Sequence, residues 1–191
     1  MREDDPYWDA FISAPPVDPN NVIAGGIRGL PEGTVYPIKT DVHSPEIMSR
    51  HVKELALFLG ADRCGIAALG PSPPAPLPRL GEGKEAEEYP FAIVCVLKAD
   101  YDPRSAQGIG GQAPALKGAY VTFNLGAWIR ECGYRATREG DLDAAGLAQR
   151  AGLGWVDGRG RFEVPGVGPY AYVTNVLRTD LPLAADGKAV P

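Results

Sequence analysis

The sequence has few of the residues that build metal centres. Its 191 residues include three cysteines and two histidines, and Cys64, Cys95 and Cys132 form no C-x-x-C pair. Scattered thiols among apolar neighbours are typical of reduced, buried cysteines rather than of metal ligands. A ferredoxin-type cysteine run is also missing, so we expect no metal site and no iron–sulfur cluster in this chain.

Long apolar runs and excess positive charge are missing as well. The longest apolar run, 91–97, is far shorter than the roughly 20 residues of a membrane-spanning helix, and the acidic N-terminus does not resemble a signal peptide. The 24 acidic side chains outnumber the 19 basic ones, which gives a net charge of −5. Nucleic-acid binding needs clustered Lys and Arg. We therefore expect a cytoplasmic protein without a membrane or nucleic-acid partner.

Catalytic motifs of the common hydrolases and nucleotide-binding enzymes are absent. The sequence contains no G-x-S-x-G elbow, no P-loop and no H-E-x-x-H. Two glycine-rich pieces, 108–111 and 152–154, offer backbone N–H groups that could cradle a phosphate or an amide. In a chain with 24 glycines, ordinary turns are the better explanation of the same pieces.

The 19 prolines and 24 glycines are unevenly distributed. They are frequent in residues 1–43, which show no sustained helical period, and this predicts an extended Pro/Gly-rich arm laid over the body or over a partner. Residues 44–191 carry the periodic apolar segments and are predicted to form a single domain. With 45% hydrophobic residues, this domain has enough apolar material for its own core.

The pattern of that domain predicts an α+β fold. Ser44-Pro45-Glu46 is a typical helix start, and this helix should end before Gly60. The continuous apolar run 91–97 is typical of a central strand covered on both faces. The other predicted elements are a strand at 63–69, helices at 115–132 and 142–151, the latter capped by Asp141, and strands at 161–164 and 171–177, which the 165–169 turn joins. The order is α-β-β-α-α-β-β.

Several segments together resemble a known family. Three stand near the C-terminal end: Ile129–Ala136 (IRECGYRA), Ala151–Trp155 (AGLGW) and Thr179–Leu183 (TDLPL). Further matches precede them at 44–53, 60–66 and 89–94. In this order the segments resemble the cobalamin-binding core of reductive dehalogenases and of epoxyqueuosine reductase, over about residues 44 to 184.

The resemblance implies a nitroreductase-like layered fold that holds a corrinoid in the base-off form. It assigns Tyr120 as the proton donor, and a phenol suits this role because an adjacent guanidinium lowers its pKa. It places the family's basic residue just after the AGLG motif, at Arg159. The loop there is one residue longer than in the family, so Arg161 remains an alternative.

A corrinoid is a flat macrocycle with apolar faces and an amide rim, and it needs small residues, an apolar floor and many polar partners. The AGLG segment and the helix before it supply the small residues, and the last strand supplies side chains for the rim or the nucleotide tail. The polar side chains of the last strand alternate along it, and a half-exposed strand explains this alternation equally well. The candidate cofactor contacts are Ala148, Ala151, Gly152, Leu153, Gly154, Trp155, Tyr170, Tyr172 and Asn175.

The role of such a chain stays open at this point. Because we expect no iron–sulfur module of the family in this chain, a reductase would need a separate electron-donor protein or a soluble reductant. Alternatively, the chain handles or senses cobalamin without turnover, or it is a scaffold without cofactor that mediates interaction or oligomerisation. A nitroreductase-like scaffold also admits flavin, which would favour a homodimer.

Overall fold

A five-stranded sheet lies at the centre of the computed structural model. The structure describes residues 6–15, 23–70, 89–102, 106–138, 142–158, 162–168, 170–173 and 176–187. The strands are β1 (Arg63–Ala68), β2 (Phe91–Lys98), β3 (Ala136–Thr137), β4 (Trp155–Val156), β5 (Phe162–Glu163), β6 (Ala171–Val173) and β7 (Leu177–Thr179). β2 pairs antiparallel with β1 on one edge and with β6 and β7 on the other, and β3 pairs with β7. β4 and β5 form a separate ribbon.

β2 is the central strand, as its apolar run predicted. Its side chains alternate between two clusters of buried residues. Ile93, Cys95 and Leu97 point to one side of the sheet, here called the Ile93 face. Ala92, Val94 and Val96 point to the other, the Val94 face. All six side chains are fully buried, which explains why the strand shows no alternation of apolar and polar residues.

Helices cover both faces of the sheet. The helices are α1 (Pro6–Ser13), α2 (Ile23–Arg28), α3 (Pro45–Phe58), α4 (Ile109–Glu131) and α5 (Ala144–Arg150). α3 and α4 cover the Ile93 face, and α5 covers the Val94 face. Among the described residues, no helix combines the length and the apolar character needed to cross a membrane. The α+β class is confirmed.

α3 begins and ends where the sequence predicted. The Ser44 hydroxyl accepts a hydrogen bond from the Ile47 N–H at 3.3 Å, and Pro45 occupies the first turn. Gly60 follows the helix with a φ of 111°, a left-handed conformation that glycine adopts without strain. Local capping chemistry therefore set both ends of this helix.

The prediction that α4 begins at residue 115 is wrong, because the helix begins at Ile109. Pro114 lies inside the helix, where it lacks the N–H that would bond to the Gly110 carbonyl and its ring crowds that carbonyl. The preceding turn is held by tertiary packing instead. An added Cβ on Gly110 would lie 2.5 Å from Cγ2 of Ile12, and one on Gly111 would lie 1.5 Å from the carbonyl oxygen of Ala106. Gly110 and Gly111 therefore allow close packing.

The prediction that Asp141 caps the next helix is also wrong. α5 begins at Ala144, and Asp143 is its cap, since its Oδ1 accepts a hydrogen bond from the Gly146 N–H at 2.9 Å. Asp141 lies outside the described residues. Asp141 and Asp143 are two positions apart in the sequence, and either residue type suits a helix cap. The residue type alone therefore does not distinguish them.

The C-terminal strands also differ from the prediction. The predicted strand at 161–164 is represented by the two-residue strand β5, which pairs with β4. The predicted strand at 171–177 is two strands, β6 and β7. β2 is long enough to pair with both in succession, through Val96–Lys98 and Phe91–Ile93. The C-terminal segment therefore forms two short strands that pair with different parts of β2.

The N-terminal segment is partly helical rather than wholly extended, since α1 and α2 lie within residues 1–43. The stretch after α2 lies against the end of α4. The Tyr36 N–H donates to the Arg130 carbonyl, and the Thr40 N–H donates to the Cys132 carbonyl, both at 2.9 Å. The Tyr134 hydroxyl donates to the Thr40 carbonyl at 2.8 Å. The described part of this segment therefore contacts the body of the domain.

Candidate functional site

The AGLG segment forms the turn that ends α5. Gly152 has a φ of 72°, and an added Cβ there would lie 2.6 Å from the carbonyl oxygen of Gly187. An added Cβ on Gly154 would lie 2.0 Å from the carbonyl oxygen of Glu163. Both distances are far below van der Waals contact. The two glycines are therefore required by close approaches of the chain to itself.

Three other predicted contacts, Ala148, Ala151 and Leu153, belong to the buried cluster on the Val94 face. β1 approaches this turn closely, because an added Cβ on Gly65 would lie 2.5 Å from the Ala151 carbonyl oxygen. The side chains of these three residues are packed in the core. The outer side of the turn is the accessible part, since Gly152 is exposed and Trp155 is half-buried.

β6 offers a second surface beside the same face. It pairs with β2 on one edge, and no described strand pairs with its other edge. Tyr170 precedes it and is 38% exposed. The Tyr170 backbone carbonyl accepts a hydrogen bond from the Ala99 N–H at 2.8 Å. Tyr172 packs on the Ile93 face, whereas Val173 packs on the Val94 face. Asn175 lies outside the described residues.

Tyr120 lies on the outer side of α4, with 49% of its surface exposed. Asn124, one turn later, donates from Nδ2 to the Tyr120 carbonyl at 2.7 Å. Since α4 covers the Ile93 face and the AGLG turn packs on the Val94 face, the sheet separates Tyr120 from that turn. Tyr172 is the predicted contact that shares its face. Arg159 and Arg161 both lie outside the described residues.

The IRECGYRA and TDLPL segments bind each other. Asp180 accepts hydrogen bonds from the Arg135 N–H at 2.6 Å and from its Nε at 3.0 Å. The Thr179 hydroxyl donates to the Arg135 carbonyl at 2.7 Å. Tyr134 packs beside them, and burial raises the pKa of its phenol above the ordinary value. These two segments fix the end of α4 to β7.

Sequence reasoning missed a buried ionic cluster formed by Glu32, Arg130 and Arg138. Glu32 accepts hydrogen bonds from Arg130 Nη1 at 2.6 Å and from Arg138 Nε at 3.0 Å. Arg138 also donates to the carbonyls of Ile27 and Leu30. Both arginine side chains are almost fully buried. Arg130 was the residue that could have revealed this cluster from the sequence. An arginine within an apolar helix is buried only with a carboxylate partner.

Comparison with solved structures identifies the fold. One neighbour is a reductive dehalogenase whose structure suggests a mechanism for B12-dependent dehalogenation. It superposes with a TM-score of 0.71 and 23% identity over 88% of this chain. The chain has the reductive dehalogenase fold. The catabolic reductive dehalogenase NpRdhA gives a TM-score of 0.68 at 24% identity over 88% of this chain. Epoxyqueuosine reductase from Bacillus subtilis gives 0.54 at 16% identity over 76%.

The match covers only part of these larger proteins. This chain spans 24% of the length of each of the two dehalogenases and 48% of the length of epoxyqueuosine reductase. No family model matches the sequence, and no curated protein does. The likeness predicted from the sequence segments is therefore confirmed in the fold. Within the described residues, no group of three potential metal ligands is present.

Proposed function

We propose that this chain is a corrinoid-binding core of a reductase and that its cofactor is cobalamin. The observation that carries the proposal is the superposition with a B12-dependent reductive dehalogenase at a TM-score of 0.71 over 88% of the chain. The sequence segments that resemble this family support it independently. Bound cobalamin would supply a low-valent cobalt centre that transfers electrons to a substrate.

We place the corrinoid at the edge of β6 with which no described strand pairs. The free edge of β6 offers backbone N–H and C=O groups to rim amides, and the half-exposed Tyr170 and Tyr172 offer aromatic surface. The outer side of the AGLG turn, at Gly152 and Trp155, is proposed as a further contact on the Val94 face. Ala148, Ala151 and Leu153 fit only as the floor beneath it, since their side chains are in the core. The proposed contact is therefore narrower than the sequence predicted.

Tyr120 is proposed as a proton donor to a substrate held beside Tyr172, at the β6 edge where the corrinoid is also proposed to bind. Its phenol is half-exposed, as a group that meets a substrate must be, and Tyr172 shares its side of the sheet. A phenol donates a proton to a centre that gains electrons when the two groups lie within hydrogen-bond distance. Arg159 remains the proposed basic partner.

Titration of the purified protein with hydroxocobalamin and with cob(II)alamin, followed by desalting, tests the binding. We expect one equivalent to remain bound with a base-off absorption spectrum. Tyr170→Ala should weaken retention by about fivefold to tenfold, since an exposed aromatic contact contributes on the order of 1 kcal/mol. Tyr36→Ala is the matched control, because Tyr36 is also a half-exposed tyrosine but contacts the far end of α4. Loss of all the corrinoid on desalting would contradict the proposal.

A reductase and a carrier differ in their response at Tyr120. In a reductase, Tyr120→Phe removes the transferred proton and should abolish substrate turnover while corrinoid retention stays the same. In a carrier, the same variant should leave the rate of cobalamin transfer to an acceptor protein unchanged. A variant that loses retention itself would show that Tyr120 is a binding contact, contrary to its proposed role.

A further inference from the structure

Two cysteines outside the proposed site lie directly opposite each other on neighbouring strands. Cys64 of β1 and Cys95 of β2 are register partners in the antiparallel pair. Their Sγ atoms are 4.0 Å apart, and both are free thiols. Cys95 is fully buried and Cys64 is half-buried. The third cysteine, Cys132, follows α4 and is not part of this pair.

The hydrogen bonds around the pair show which kind of position it occupies. Leu69 and Pro90 are the next partners after Ala68 and Phe91 in the register of β1 and β2. The Leu69 N–H donates to the Pro90 carbonyl at 2.7 Å, so these two residues form a hydrogen-bonded pair. The Ile66 N–H points away from β2 and donates to Asp186 Oδ2 at 2.8 Å. Because hydrogen-bonded and non-hydrogen-bonded pairs alternate, Cys64 and Cys95 form a non-hydrogen-bonded pair.

Such a pair has the separation that a disulfide requires. Residues in a non-hydrogen-bonded antiparallel pair have Cα atoms about 4.5 Å apart, with their side chains close together. Disulfides join Cα atoms about 4.4 to 6.8 Å apart. The two thiols therefore need side-chain rotation, and no rearrangement of the strands, to reach bonding distance.

We propose that Cys64 and Cys95 are a redox site that forms a reversible intramolecular disulfide. An S–S bond forms as each thiol loses its hydrogen, and the two electrons and two protons pass to an oxidant of the diazene class, whose N=N bond becomes a hydrazine. The Cys64 thiolate, the more accessible of the two, adds to the N=N bond and forms a sulfenylhydrazine. The Cys95 thiolate then attacks the Cys64 sulfur, and the hydrazine leaves as the S–S bond forms. A dithiol reductant reverses the reaction.

Treatment of the folded protein with diamide, followed by thiol counting in denaturant, tests this proposal. The three thiols of the chain should fall to one in the monomer, and the lost mass should equal two hydrogen atoms. Peptide mapping of the wild-type protein should find Cys64 linked to Cys95. Dithiothreitol should restore all three thiols.

Two variants separate this site from unspecific oxidation. Cys132→Ser keeps the pair, so its two remaining thiols should both disappear on oxidation. Cys64→Ser removes the attacked thiol, so both remaining thiols should survive in the monomer. Three intact thiols in oxidised wild-type protein, a linkage through Cys132, or a disulfide that forms only after denaturation would each overturn the proposal. Peptide mapping gives the answer even if Cys64→Ser fails to fold.

Discussion

The two faces of the central sheet are stabilised in different ways. On the Ile93 face, long helices contribute large aliphatic side chains such as Leu125 and Ile129, which are fully buried. On the Val94 face, smaller aliphatic side chains such as Val94 and Val96 are buried, and glycines let backbone segments approach each other at α5 and the turn after it. The first face depends on large side chains that fill volume, and the second depends also on glycine positions that leave no room for a side chain.

This difference changes how the AGLG segment is interpreted. Small residues in a row suggested a surface that a cofactor approaches closely. In the structure, the chain itself makes these close approaches, through the carbonyl groups of Gly187 and Glu163. The segment is therefore an architectural turn, and only its outer side remains for a ligand. We therefore expect the Ile93 face to be destabilised by a loss of side-chain volume and the Val94 face to be destabilised by added side-chain volume.

The largest effect is expected from removing volume on the Ile93 face. Leu125→Ala leaves a cavity in the centre of that cluster and should lower the free energy of unfolding by about 3 kcal/mol. Urea denaturation followed by circular dichroism measures this. Leu57→Ala is the control, because Leu57 is 47% exposed and should change stability by less than about 0.5 kcal/mol. Equal losses in the two variants would contradict the assignment of the core.

Adding volume should be harmful on the Val94 face. The new Cβ in Gly65→Ala meets the Ala151 carbonyl oxygen, the Ala151 Cβ and the Leu153 Cγ, so we expect a loss of about 2 kcal/mol from overpacking. Gly25→Ala is the matched control. It places a Cβ in open space on α2 and should stabilise the protein by up to about 1 kcal/mol. A neutral Gly65→Ala would show that β1 and α5 are not in close contact.

A smaller effect is expected at the start of α5. Asp143→Ala removes the cap of this helix and should cost about 1 kcal/mol. Ser44→Ala removes the cap of α3 and should cost a similar amount. Hydrogen exchange distinguishes them: Asp143→Ala should speed exchange in α5, whereas Ser44→Ala should speed it in the first turn of α3. A silent Asp143→Ala would mean that another residue caps α5.

The pH dependence of thiol oxidation probes the Ile93 face without altering its volume. The neighbouring Cys95 thiol and burial raise the pKa of Cys64 well above the ordinary range. The reactive thiolate is therefore scarce at neutral pH, and the rate of oxidation by diamide should rise about tenfold per pH unit. An unperturbed thiol has a pKa of about 8.5. A rate that stops rising near that pH would contradict the raised pKa of Cys64.

Sequence reasoning succeeded where a local signal determined the structure. The cap at Ser44, the left-handed Gly60 and the doubly covered β2 follow from neighbouring residues alone. It failed where distant parts of the chain decided the outcome. Ile12 and Ala106 allow α4 to begin before Pro114, and the length of β2 divides the C-terminal strands.

The candidate site was predicted less completely than the fold. The sequence correctly indicated small residues at Gly152 and Gly154, but it could not show that the chain's own carbonyl groups fill the space beside them. It also gave no sign that the sheet lies between Tyr120 and the AGLG turn. Both facts depend on long-range packing, which residue spacing does not encode.

Hydrogen exchange of the folded protein with and without hydroxocobalamin tests the central claim most directly. If a corrinoid binds at the free edge of β6 and the outer side of the AGLG turn, exchange should slow at Ala171–Val173 and at Gly152–Trp155. Exchange in the middle of α3 should stay unchanged. Slowed exchange confined to α3, or no change although the corrinoid remains bound, would contradict this placement of the cofactor.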